Sequence, residues 1–252
     1  MVGCSGSFPG PDSAASCYLV EADDADGRTW RVLLDLGSGA LGPLQRHVAP
    51  RDLDAVLISH LHPDHFMDLC GLYVALRYDP RGVRTRPVPV FGPAGTFGRL
   101  EEAYGVHETG SMALAFTVEE WAAGSPVTLG PFTVTPRLVE HPVPAFGLRV
   151  EAGGAALTYS GDTDACEALV ELAKDADLLL AEASFEEGRD ATRGVHLTGL
   201  RAGQAAADAG ARRLVLTHLP VWTSAQTVLA EARSVYAGPV EVAHPGLTIT
   251  LP

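Results

Sequence analysis

Three histidines and an aspartate fall within His60-Leu61-His62-Pro63-Asp64-His65, directly behind the largely apolar run from Leu53 to Ser59. No other stretch constrains the chain as strongly. The run reads as a buried strand. Ligands at the end of a strand stand on a stiff support, which a preorganised metal site needs. In extended chain His60 and His62 share one face, because side chains alternate with period two. Asp64 and His65 then lie where the chain turns into a helical pattern. Two pairs of donors splayed from one turn can hold two ions, and solvation alone does not explain histidine at this density.

A two-metal hydrolytic site needs about three more groups, one able to bridge the ions. His141 follows the strand-like Phe132-Thr133-Val134-Thr135. Asp162 sits in Tyr159-Ser160-Gly161-Asp162-Thr163, behind Ala155 to Thr158, and His218 follows Leu214 to Thr217. Each ends a strand and opens a loop, so all can converge on one sheet edge. A lone histidine in such a place is more often a packed core residue. Several strand-end donors in one chain point instead to a site.

These segments together resemble the metallo-β-lactamase superfamily, and within it the branch of ribonuclease Z and related phosphodiesterases. Leu34-Asp35-Leu36-Gly37 is similar to the family's early Asp-x-Gly segment, and His60 to His65 to its signature. Glu140-His141-Pro142 resembles the segment around the third metal histidine, and Ser160-Gly161-Asp162-Thr163 the bridging-aspartate motif. Ala181-Glu182-Ala183-Ser184 resembles the branch's His-Glu-Ala-Thr box, with alanine in place of its histidine. His196-Leu197-Thr198 resembles its late His-x-Thr box, and Thr217-His218-Leu219 its last ligand. The signature alone marks only the superfamily; the Glu182 and His196 boxes are the more specific sign of phosphodiester chemistry. The resemblance runs nearly end to end. It implies an α/β fold of the αββα sandwich type, formed as one hydrolase domain over residues 1–252, and a homodimer.

Composition agrees with a compact cytoplasmic enzyme. Hydrophobic residues make up 46% of the 252 residues, enough for a large core. No apolar run approaches the roughly 20 residues of a spanning helix, and the first residues lack the pattern of a signal peptide. Cys4, Cys17, Cys70 and Cys166 are too scattered for a disulfide frame and suit a reducing compartment. A first hairpin is expected from residues 17–21 and 30–35, closed by the acidic turn at Asp23 to Gly27. Phe66 to Arg77 reads as one helix with Phe66, Leu69, Leu72, Tyr73 and Leu76 on one face. Tyr78 to Arg86 reads as a loop, Val88 to Phe91 as a short strand and Gly95 to Tyr104 as a helix. Helices at Ala165 to Lys174 and Leu200 to Ala209 each precede a buried strand.

The donors then divide into roles. His60, His62 and His141 would hold one ion; Asp64, His65 and His218 a second; Asp162 would bridge them. Imidazole and carboxylate without thiolate fit Zn²⁺, with Mn²⁺ or Fe²⁺ as alternatives. A water shared by two ions reaches a pKa of about 7, and the resulting metal-bound hydroxide would attack phosphorus. Asp64 could also orient that water. Asp35 reads as a carboxylate behind the ligands that fixes one histidine's tautomer, and otherwise as a turn residue. The resemblance makes His196 the proton donor to the leaving alkoxide, or a grip on a phosphate oxygen, with Glu182 holding it charged. Asp68, where the signature usually has glycine, could contact a metal ligand or cap a turn. Trp222 could stack a base or belong to the core. His47, His107 and His244 have no evident partners and default to surface or packing roles.

The substrate follows from charge. The chain carries a formal charge of −13 and, between His65 and His141, no arm that could dock a tRNA. Phosphate contacts dominate nucleic-acid affinity, so a large RNA would be repelled. A dimetal site of about +1 suits a single phosphate. Small phosphodiesters are therefore the favoured substrates, and the compact chain also resembles atypical cyclic-nucleotide phosphodiesterases of the superfamily, which implies cyclic mononucleotides. The alternatives are a tRNA 3′-processing endoribonuclease, an acyl, thioester or lactone hydrolase of the same superfamily, and a binding module without catalysis.

Overall fold

The strands Ala55–Leu57, Leu178–Glu182 and Leu214–Thr217 are buried along their whole length, so each packs both of the faces between which its side chains alternate. The structure, a computed structural model, describes residues 1–252 except Val83 and His107, so the expected role of His107 lies outside the described residues. A short parallel pair, β1 (Gly3–Ser5) and β2 (Ala14–Ala15), opens the chain. Five strands then form the first sheet in chain order: β3 (Tyr18–Asp23), β4 (Thr29–Leu34), β5 (Ala55–Leu57), β6 (Val88–Gly92) and β7 (Phe116–Glu120). The hairpin β3–β4 is antiparallel and the remaining pairs are parallel.

The second sheet has seven strands: β8 (Val127–Leu129), β9 (Phe132–Leu138), β10 (Phe146–Ala152), β11 (Ala155–Tyr159), β12 (Leu178–Glu182), β13 (Leu214–Thr217) and β14 (Val240–Val242). β8 to β11 run antiparallel and β11 to β14 parallel. Helices α1 (Leu41–Leu44), α2 (Pro63–Phe66), α3 (Leu69–Arg77) and α4 (Thr96–Tyr104) belong to the first half. Helices α5 (Glu167–Leu172), α6 (Gly199–Ala209) and α7 (Ala225–Val235) belong to the second. Among the described residues no helix is long and apolar enough to cross a membrane.

The alternation sorts the core into three layers. Val32, Leu34, Ala55 and Leu57 face Phe146, Leu148, Tyr159, Leu178, Leu180 and Val215 between the sheets. Leu33, Val56 and Ile58 point the other way, onto Leu69, Leu72 and Leu100 of the first helical layer. Leu179, Ala181, Leu214 and Leu216 pack on Leu169, Ala202, Ala206 and Val228 of the second. This is the αββα sandwich that the resemblance implies. Each fully buried leucine contributes about 1.5–3 kcal/mol.

One expected element divides. The helix read from Phe66 to Arg77 is two helices, interrupted at Met67 and Asp68. The turn after β4 enters the ladder there: the Leu36 amide donates to the His65 carbonyl at 2.8 Å, and the Asp68 amide donates to the Leu36 carbonyl at 3.1 Å. Gly37 permits this approach, since a Cβ at that position would stand 1.8 Å from the Asp64 carbonyl oxygen. The Asp68 carboxylate caps the amides of Gly39 and Leu41, the turn-capping role open to it. The apolar face is nevertheless as read: Phe66, Leu69, Leu72, Tyr73 and Leu76 are all buried. Helix α7 has no counterpart in the sequence reading, although Ser224 signals its start by accepting from the Thr227 amide.

Parallel strands β4, β5, β11, β12 and β13 deliver their carboxyl ends to one side of the sandwich. Ligands in open α/β sheets bind outside such ends. Asp35, His60, Asp162, Glu182 and His218 all stand at or just beyond them.

Candidate metal centre

Six of the candidate donors follow these strand ends, with Asp64 and His65 already in α2, and the seventh, His141, lies in the loop after β9. They form two groups that share Asp162. His60, His62, His141 and Asp162 bring ligand atoms within 4.8 Å of one another, and so do Asp64, His65, Asp162 and His218. In the first group His62 Nδ1 faces His60 Nε2 at 3.0 Å and His141 Nε2 at 3.3 Å. In the second, His65 Nε2 lies 3.4 Å from Asp64 Oδ2 and 3.3 Å from Asp162 Oδ1. His218 Nε2 lies 3.6 Å from Asp64 Oδ2 and 3.2 Å from Asp162 Oδ2. Asp162 Oδ2 is also 3.6 Å from His60 Nε2. One carboxylate thus offers oxygens to both groups.

The outer ring nitrogens decide which atoms remain free to bind. His141 Nδ1–H donates to the Val195 carbonyl at 2.8 Å, so the neutral ring presents Nε2 inward. His65 Nδ1–H donates to Asp35 Oδ2 at 2.7 Å. Ser59 Oγ–H donates to that same oxygen at 2.8 Å, which leaves Ser59 Oγ to accept from His60 Nδ1 at 3.1 Å. His218 Nδ1 lies 3.0 Å from Ser16 Oγ. Asp35 is therefore where a histidine-fixing carboxylate belongs. It also accepts from the Ser59 amide at 2.7 Å and from Tyr159 Oη–H at 2.7 Å.

Asp35 and His218 both take the left-handed backbone conformation, each at φ 58°. Such a conformation costs a residue with a Cβ about 1–3 kcal/mol and persists where the surroundings fix it. Here each turn aims a side chain from a strand end into the centre.

Among the described residues four buried polar atoms have no hydrogen-bond partner: Asp64 Oδ2, His65 Nε2, Asp162 Oδ1 and His218 Nε2. All belong to the second group and all point at one another. Unsatisfied buried donors and acceptors are costly, and a divalent cation between them would satisfy all four. The donor set fits a metal on this ground. Electrostatics agree. Burial pushes His60, His62, His141 and His218 below the ordinary histidine range, which keeps them neutral and able to bind. Burial would also raise Asp162, but His218, His65 and His60 outweigh it and hold the carboxyl well below its usual range. For Asp64 the same burial is outweighed by the hydrogen bond and charge of His65.

Glu182 and His196 sit beside Asp162 as a third group. His196 Nδ1 is 2.8 Å from Glu182 Oε1 and 4.0 Å from Asp162 Oδ2. Glu182 is fully buried and is held by the amides of Thr163 and Ser184. Burial alone would lower His196, but the Glu182 charge and hydrogen bond raise it to about 9. The ring edge meets Phe185 at 5.0 Å between centroids. Trp222 is not gathered into this group: it is 58% exposed and its ring lies against Phe8, at 5.3 Å between centroids. Ser16, Ser59, Tyr159 and the Val195 carbonyl were not expected from the sequence. Only Ser59 and Tyr159 had a local signal, as close neighbours of His60 and Asp162.

Residues 30–219 match the family model described as the beta-lactamase superfamily domain. The protein ML1173 of Mycobacterium leprae is 46% identical over 100% of this chain and 87% of its own length. The probable metallo-hydrolase YhfI of Bacillus subtilis is 32% identical, covering 98% of this chain and 96% of its own. The crystal structure of YhfI superposes with a TM-score of 0.86 at 31% identity, over 98% and 96% of the two chains. Ribonuclease Z of Myxococcus xanthus is 32% identical over 88% of each chain.

Proposed function

This chain belongs to the beta-lactamase superfamily and is a metal-dependent hydrolase, and we propose that it hydrolyses small phosphodiesters, above all cyclic mononucleotides. The observation that carries the reading is the Glu182–His196 pair at 2.8 Å. It stands beside Asp162, and His196 is not needed by either ligand group. A cationic imidazole there can give a proton to a leaving alkoxide, a step that hydrolysis of an unactivated phosphodiester needs.

In this reading His60, His62 and His141 hold one ion, Asp64, His65 and His218 hold another, and Asp162 binds both. We take the ions as Zn²⁺, with Mn²⁺ and Fe²⁺ as alternatives for the same imidazole and carboxylate donors. When bound, such ions supply Lewis acidity toward a phosphoryl oxygen and lower the pKa of water. The chain's own residues do the rest. Asp64 stays ionised and orients the attacking water. Asp162 holds the two ligand groups in register. Glu182 anchors His196 Nδ1, so that Nε2 carries the proton to the leaving oxygen. Trp222, with Phe8 beside it, offers a flat exposed partner for a base.

Scale favours a small substrate. A cyclic nucleotide brings one phosphate, which the centre and His196 can satisfy together. A tRNA brings many to a chain of net charge −13. Precursor tRNA is the second reading, favoured by the 32% identity to the Myxococcus ribonuclease Z. The deciding experiment offers metal-loaded protein 3′,5′- and 2′,3′-cyclic nucleotides, a precursor tRNA, and a lactone and a thioester at one salt concentration. The cyclic nucleotides should give the highest kcat/KM. Faster cleavage of the tRNA would install the endonuclease reading, and turnover of the esters alone would return the chain to the acyl hydrolases. Elemental analysis should find two ions per chain.

A further inference from the structure

Arg201 is a buried arginine in the first turn of α6 whose side chain meets Thr198, Asp164, Glu187 and the His196 carbonyl. Its Nη1 pairs with Asp164 Oδ1 and also donates to the His196 carbonyl at 3.1 Å. Its Nε reaches Thr198 Oγ1 at 3.3 Å. Asp164 Oδ2 accepts from the Gly194 amide at 2.7 Å. Between those two contacts lies Val195, whose carbonyl accepts from His141 Nδ1 at 2.8 Å. Three consecutive residues are thus tied down: Gly194 to Asp164, Val195 to His141, and His196 to Arg201. Asp164 stands two residues beyond Asp162, and its amide donates to the Glu140 carbonyl at 2.8 Å, next to His141. One ion pair therefore joins the three segments that carry His141, Asp162 and His196.

We propose that Arg201, through Asp164, is a positioning residue that sets His196 over the leaving group and aims His141 into the centre. The proposal rests on the reading given above. A buried ion pair is poor evidence for stability, because desolvating two charges offsets most of their attraction. An apolar pair of similar volume would fill the same space. It would not hold the Gly194 amide and the His196 carbonyl at fixed points on either side of the Val195 carbonyl. Residues behind a metal ligand typically alter affinity or activity by about 10–100-fold.

The test uses Arg201→Met, Arg201→Lys and Asp164→Asn in the full chain, with three readouts. Chelator competition measures the affinity of each ion. Turnover compares a phosphodiester with a poor leaving group and an activated aryl phosphodiester. Thermal melts report folding. Arg201→Met should weaken one of the two ions about 10–100-fold and slow the poor leaving group at least tenfold more than the activated one. Arg201→Lys should recover much of both, and Asp164→Asn should move both in the direction of Arg201→Met. Wild-type affinities and an unchanged leaving-group ratio in both charge-removing variants, with only the melting temperature lowered, would overturn the proposal. Should wild-type protein hydrolyse no phosphodiester, the functional reading fails and the chelator arm decides alone. Unchanged metal affinity in Arg201→Met and Asp164→Asn then overturns the positioning role. If Arg201→Met does not fold, the lysine and asparagine variants carry the same comparison.

Discussion

The two ligand groups of the centre have the same size and share Asp162, yet they are built differently. Asp64, His65 and His218 are buried, and the outer nitrogens of their rings end on Asp35 and Ser16, also buried. In the other group only His60 is fully buried; His62 and His141 are half-buried, and His141 leans on a backbone carbonyl. All four unpartnered buried atoms lie on the closed side or on the shared aspartate. His196 stands between the halves, with its ring 5.6 Å from that of His141 and 5.7 Å from that of His218. In the proposed function the closed half would hold charge in place, and the partly exposed His62 and His141 would mark the side open to substrate.

Asp162→Ala is the severest way to break this comparison. It removes the one group common to both halves, so both ions should be lost on dialysis and activity should fall below detection. A variant that keeps one ion at wild-type affinity would show that the halves are independent. Next comes His196→Ala, which should keep both ions and slow turnover about 10²–10⁴-fold on a substrate with a poor leaving group. The loss should shrink on an activated aryl phosphodiester, and adding Glu182→Ala should cost little more, because residues acting as a unit are not additive. Equal losses on both substrates would move His196 from proton transfer to binding.

Asp35→Asn sharpens the contrast at a smaller scale. It keeps the shape but cannot hold His65 as a carboxylate does, and it reaches His60 only through Ser59, so the closed-side ion should bind about 10–100-fold more weakly and the other should weaken less. Competition titration resolves the two affinities, and equal weakening of both would show that the direct contact to His65 counts for no more than the path through Ser59 to His60. Smallest of all is Trp222→Ala. An exposed ring against Phe8 should raise KM a few-fold and leave kcat nearly untouched, as loss of uniform binding does. A lower kcat at constant KM would place Trp222 nearer the chemistry than its exposure implies.

What the sequence discloses and what it hides follow from distance along the chain. His60 to His65 is legible because four donors crowd one turn, and His141, Asp162 and His218 because each follows an apolar run. The supports of those donors are hidden. Ser16 meets His218 across 202 residues, and Tyr159 reaches Asp35 across 124. No local pattern announces such pairs. The division of the helix after His65 was hidden for the same reason. Its apolar face continues unbroken from Phe66 to Leu76, and only the remote Leu36 amide diverts the ladder. Asp35 was legible by resemblance, but its left-handed backbone was not, since nothing in Leu34-Asp35-Leu36 requires it.

The sharing of donors between the sheets has a consequence for how the chain matures. His60, His62, Asp64 and His65 follow β5 of one sheet, whereas His141, Asp162 and His218 follow strands of the other. Divalent ions at the centre would act as rivets through the seam between two layers. A ribosome delivers the first four donors early and His218 last. The closed-side position is therefore complete only after His218 has been made, and loading it would report that both halves have docked.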